Sequence, residues 1–221
     1  MLFLVAVQLT ASTLVTEKSL RLKEAMRMMG LQEGPYWLSF LLADGAVLGF
    51  GLALALTIIS SIFGLFHNLG AGYDGSGGGQ RNGIGLLALL FFSALACTSM
   101  ALALSAFFDS PQLVSLAAFA TMLTGVVLYF IIIFSSPDLI DSPTKEALWC
   151  LFPPMALQTG ILASFTEAGG LFAGIQSHLT LGAVCGMLLT DTALFSGLAW
   201  YLDQTLPAGR FGVARHPLFC L

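Results

Sequence analysis

Two carboxylates stand where carboxylates are costly. Asp44 and Asp191 lie inside long apolar runs, Asp191 near the middle of its run. In lipid such a charge costs a few kcal/mol unless it is paired or wetted. It can accept an interhelical hydrogen bond from Ser or Thr, or it can serve a substrate or a proton. On either reading Asp191 must face the inside of a bundle. Asp44 lies about two turns past Pro35 and can reach an interface. Other reactive residues are scattered. Cys97, Cys150, Cys185 and Cys220 form no CxxC pair. Cys97 and Cys185 sit in apolar runs as small hydrophobes, and the other two fall on opposite sides of a membrane, so no disulfide is expected. His67, His178 and His216 are far apart at segment edges, as interfacial or capping residues, and no metal-ligand cluster forms. The Gly-rich stretch 70–85 resembles a phosphate loop in composition only; without a GK[ST] ending it reads as a flexible linker. With no Walker A lysine and no nucleotide fold, no catalytic, cofactor or metal site is expected in this chain.

The densest charge lies at Glu17–Leu31, EKSLRLKEAMRMMGL. Helical spacing puts Leu22, Met26 and Met29 on one face beside Ala25, with Lys18, Arg21 and Lys23 largely elsewhere. Glu17 and Arg21 make a favourable i,i+4 pair, Gly30 suits a C-terminal cap, and Gly34-Pro35 stops any continuation. Such a helix either anchors topology at an interface or presents a rigid face to a motor outside the membrane. Residue chemistry leaves both readings open.

The elements that position these residues are membrane elements. Hydrophobic residues make up 57% of the 221 and charged residues 9%, with mean hydropathy +0.90. A soluble domain carries roughly 25% charged residues, so lipid is the expected solvent. The net charge of −4 and the dispersed basic residues exclude a nucleic-acid surface. Apolar runs predict an all-α, polytopic membrane protein of about five spans. Residues 1–15, too short alone and lacking signal-peptide features, are expected to be a partial span whose beginning is missing, which would make the chain a fragment or the product of a truncated reading of its gene. A cytoplasmic helix follows at 17–33, then a span at 36–66, a Gly-rich outside loop at 67–83, and spans at 84–108 and 112–134. Residues 146–176, broken by Pro153, Pro154, Gly160 and Gly169-Gly170, suit an extracellular re-entrant or interfacial hairpin. A last span covers 179–202, and 203–221 is an exit linker. This order places Lys18, Arg21, Lys23, Arg27, Arg210 and Arg215 inside and only Arg81 and Lys145 outside, as the positive-inside rule requires. The GAVLG and GAVCG pairs, Gly45/Gly49 and Gly182/Gly186, read as helix packing.

Two strings carry a family resemblance. EKSLRLKEAMRMMGL resembles the intracellular helix of subfamily A ABC transporters, with its E-K-x-x-R-L-K-E-x-M-x-x-M-G-L pattern after the second membrane helix. LLTDTALFSGLAWYLDQTLPAGRFGVARHPLF resembles the last membrane helix and exit segment of the same family. Phe211 replaces the usual tyrosine, Arg215-His216-Pro217 the usual Arg-Pro, and Pro207-Ala208-Gly209 carries an extra residue. The resemblance covers nearly the whole chain and is weakest from Gly70 to Gly85. It implies the C-terminal half of one ABC-2-like membrane domain, in an exporter or flippase of lipids or other amphiphiles. ATP and Mg would act at nucleotide-binding domains outside this sequence, with those domains and the other membrane half in the same polypeptide. Arg21, Leu22, Lys23, Met26 and Met29 would then couple to a nucleotide-binding domain. Two alternatives use the same residues: a bacterial-type ABC-2 permease recruiting a separate ATPase, and a non-transporting membrane scaffold.

Overall fold

The computed structural model describes residues 2–20, 22–30, 33–51, 54–55, 58, 78–135, 143–167 and 179–205. These residues are helical, with no strand among them. In chain order the helices are α1 (Leu2–Ser19), α2 (Leu22–Met28) and α3 (Glu33–Phe40), the last continuing through Leu41–Leu48 in the wider π-type winding. They are followed by α4 (Gly78–Phe107), α5 (Pro111–Ser135), α6 (Pro143–Trp149), α7 (Pro153–Glu167) and α8 (Leu181–Thr205). Three stretches are long and apolar enough to cross a membrane: Gly85–Phe107, Pro111–Ser135 and Leu181–Thr205.

Several bounds differ from those drawn from hydropathy. The helix expected over 17–33 is divided. α1 continues to Ser19, the chain turns at Leu20, and α2 resumes for one short helix. Gly30, at φ 94°, takes the left-handed conformation that ends it. The helix expected from 84 starts at Gly78, inside the Gly-rich loop, because a helix that is stable in its apolar part propagates into weaker neighbours. Residues 59–77, 168–178 and 206–221 lie outside the described residues, and with them most of that loop, the second part of the proposed hairpin and the exit linker.

Local chemistry sets the helix starts. Ser110 precedes Pro111, and its hydroxyl accepts the Leu113 N–H at 3.4 Å. Thr180 likewise accepts the Ala183 N–H at 3.4 Å at the head of α8. Both are capping residues, and proline is preorganised for the first helical position. Along α4 the buried hydroxyls of Ser93, Thr98, Ser99 and Ser105 donate back to carbonyls of their own helix, which lets them lie in an apolar interior.

α4 is the central helix. Of its apolar window 67% is buried, against 28% for α5 and 22% for α8. Val7, Ala11 and Val15 of α1 pack with Cys97, Met100 and Ala101 of α4 and with Val114, Ala118 and Met122 of α5. α4 and α8 run parallel: Gly85 lies on Leu181 near their starts, and Leu102 and Ala103 meet Ala199 near their ends. The π-wound segment crosses α4 in the opposite sense. A Cβ on Gly45 would meet the side chains of Leu95 and Thr98 at 2.8 Å, and one on Gly49 would meet Ala94 Cβ at 2.5 Å, so the helices approach closely at both glycines and Gly49 has no room for a side chain.

Candidate functional site

The helix ends gather polar groups at one face of the bundle. The Tyr36 hydroxyl, near the start of α3, donates to Glu17 Oε2 of α1 at 3.4 Å. Lys18 Nζ meets Asp109 Oδ1, in the α4–α5 turn, at 3.1 Å. Asp203, near the end of α8, lies within electrostatic reach of Tyr36. The end of α1, the start of α3, the α4–α5 turn and the end of α8 are therefore neighbours.

α2 follows directly from this face. Leu22 is 44% exposed, Met28 85% and Met29 80%. Met26 is half-buried, and Lys23 lies on the same short helix. Arg21 lies outside the described residues. Met29 falls just past the helix, its N–H donating to the carbonyls of Ala25 and Met26 at 3.3 and 3.1 Å. The segment thus offers thioether and aliphatic surface beside a cluster of charges. That suits docking in a greasy groove.

Asp191 occupies the interior. It is 1% exposed at the α4–α8 contact, in electrostatic reach of Cys97. Neither carboxylate oxygen has a hydrogen-bond partner among the described residues. Thr192, beside it, donates instead to Leu188 O at 2.8 Å. The expected interhelical bond from Ser or Thr is therefore not seen among the described residues, where a hydroxyl such as that of Thr192 bonds within its own helix. Asp44 lies in the π-wound segment beside Gly45.

A second buried acid escaped the sequence reading. Glu146 of α6 is 4% exposed, in electrostatic reach of Tyr129 of α5 and of Cys150 after α6; Cys150 is also in reach of Asp191. Its only sequence signal was a carboxylate next to apolar Ala147-Leu148-Trp149. A groove of about 470 Å³ runs between α1 and α5, lined by Gln8, Pro111, Gln112, Ser115, Leu116 and Phe119. It combines amide and hydroxyl groups with apolar walls and has no charged lining.

The family profile described as ABC-2 family transporter protein matches residues 1–201. The chain belongs to this family. Among curated relatives, the ABC-2 domain is 30% identical over 218 residues to the cholesterol transporter ABCA5 of Rattus norvegicus, covering 94% of this chain and 12% of that protein. It is 30% identical over 227 residues to ABC transporter A family member 11 of Arabidopsis thaliana, covering 96% and 22%. It is 29% identical over 221 residues to the retinal-specific phospholipid-transporting ATPase ABCA4 of Bos taurus, covering 94% and 9%. The chain thus spans a minor part of each of these relatives. The ABC-2 domain is an integral membrane protein whose apolar helices are long enough to lie in lipid, and the curated relatives it resembles are subfamily A members.

Proposed function

We propose that this domain is the membrane-spanning part of an ATP-driven exporter or flippase of lipids or other amphiphiles, worked through α2. The carrying observation is the apolar surface of Leu22, Met28 and Met29, left exposed beside the face where four helix ends meet. Burying one such side chain is worth about 1.5–3 kcal/mol, enough to hold a coupling contact with a nucleotide-binding domain. ATP and Mg act at those domains, outside this chain, and the other membrane half completes the pathway in the same polypeptide. Subfamily A relatives named for cholesterol and phospholipid transport support a lipid substrate, as does the amphiphilic groove between α1 and α5.

In this reading α1, α3 with its π-wound extension, α4, α5 and α8 are five spans, with α2 and the tail in the cytoplasm. Parallel α4 and α8 support it, since α5 carries the chain back to the side where α4 begins and the segment from α5 to α8 must then begin and end on that side. α6 and α7 form the re-entrant hairpin there. Support comes from fully buried Cys150 at their turn, from Gly125 against Phe152 and Pro154, and from Gly160 against Leu89. Motor-domain closure would press on α2 and shift the balance of inward and outward states.

Met29→Asp in the complete transporter tests the reading. Met29 is exposed, so the bundle is unharmed, while a charge is placed where docking must desolvate it. Expression and ATP binding should persist, and substrate-stimulated hydrolysis and lipid export should fall together by about tenfold, as the lost burial implies. Normal export from this variant would leave α2 a topological anchor.

A further inference from the structure

Lys18 and Asp109 form an ion pair that joins the end of α1 to the α4–α5 turn at one face of the bundle. Lys18 sits in the last turn of α1, two residues before the chain leaves the helix at Leu20. Asp109 sits in the three-residue connection between α4 and α5. Their 3.1 Å contact is 28% exposed on the lysine side and 78% on the aspartate side. An ion pair this open adds little to stability, so its use must be sought elsewhere. Its place supplies one. α1 gives way to a turn at Leu20, ahead of α2, and a turn transmits a push poorly unless something holds the α1 end. Glu17, the preceding residue, holds that end to Tyr36 of α3. Lys18 holds it to the α4–α5 turn. From there the load passes to α5, which packs along α1 through Val15, Ala11 and Val7 against Val114, Ala118 and Met122.

We propose that Lys18 and Asp109 are positioning residues that tie the α1–α2 junction to the α4–α5 turn, so that displacement of α2 moves α5 along with α1. The proposal rests on the coupling reading above and adds the residues that carry the movement into the bundle. A lysine at the C-terminal end of a helix is also favoured by the helix dipole; that contribution is kept in a variant that loses Asp109 alone, so it separates from the pair.

The test is a charge swap in the complete transporter, reading basal hydrolysis, substrate-stimulated hydrolysis and export. Lys18→Glu and Asp109→Lys each place like charges side by side. Each should lower the ratio of stimulated to basal hydrolysis by about threefold or more, with nucleotide binding unchanged, and the double swap should restore the ratio to within about twofold, as for residues in direct contact. Where a reversal fails to accumulate, Lys18→Gln and Asp109→Asn complete the same cycle with neutral residues. Strictly additive effects, or single variants with a normal ratio, overturn the proposal. If Met29→Asp uncouples the transporter and the swap set does not, the ion-pair proposal falls and the coupling reading stands. If Met29→Asp exports normally, the coupling reading itself fails.

Discussion

Glycine identity matters at some positions of this bundle and hardly at all at others. Gly49 faces the backbone of α4 so closely that an added Cβ would lie 2.5 Å from Ala94 Cβ. Gly186, in the second small-residue pair, has nothing within 4 Å of the same added atom. The two GxxxG-like strings are therefore unequal, although they look alike in sequence. Gly49→Val should separate the π-wound segment from α4 and cost about 1–3 kcal/mol, the usual range for forcing extra methyls into a packed contact. Gly186→Val should change stability within about 0.5 kcal/mol, as surface substitutions do. Thermal aggregation of detergent-solubilised variants, followed by fluorescence-detected size exclusion, separates the two. Equal losses at both positions would show that another helix covers Gly186. Asp191 belongs to the same scale: a buried carboxylate without a hydrogen-bond partner among the described residues is costly in an apolar interior.

Helix direction decides which groups can act together. Because α1, α4 and α8 run towards one face, their ends deliver Glu17, Lys18 and Asp203 to it, and the α4–α5 turn adds Asp109. α6 lies towards the other end: its neighbours include Tyr129, late in α5. A cysteine at Ser19 and one at Thr144, both exposed, should therefore differ in access. An impermeant thiol reagent on intact cells should modify the Thr144→Cys protein and spare the Ser19→Cys protein, in a background without native cysteines. Labelling of Ser19→Cys from outside would invert the orientation and remove α2 from any motor in the cytoplasm.

At the scale of the whole molecule, the outer surface is what a membrane requires. α5 turns Leu113, Leu116, Leu123, Val127, Phe130, Ile131 and Phe134 outward, and α8 adds Leu189, Leu194 and Leu198. Soluble proteins seldom leave so many large apolar side chains exposed along their helices. The expressed chain should stay with membranes through alkaline carbonate extraction and leave them only in detergent. Release into the carbonate supernatant would mean peripheral attachment. Transmission from α2 through the proposed Lys18–Asp109 tie would then act within an embedded bundle.

The sequence by itself determined the solvent of this protein and most of its helices. Hydropathy runs need no partner to be read, because lipid requires every backbone group in a span to be satisfied within its own helix. Two motifs at either end of the chain also pointed to the family that the profile over residues 1–201 shows. Tertiary structure alone decided which residues meet. No local pattern separates the closely packed Gly45/Gly49 pair from the open Gly182/Gly186 pair, since the difference lies in whether another helix arrives. The break that divides 17–33 at Leu20 was equally hidden, because the charged string favours a helix throughout. Glu146 reads as an ordinary surface carboxylate until α6 is packed beside α5. The Lys18–Asp109 contact joins residues 91 positions apart. Charge counting could place both ends on one side of a membrane, but only the packing of α1 along α5 brings one side chain within reach of the other.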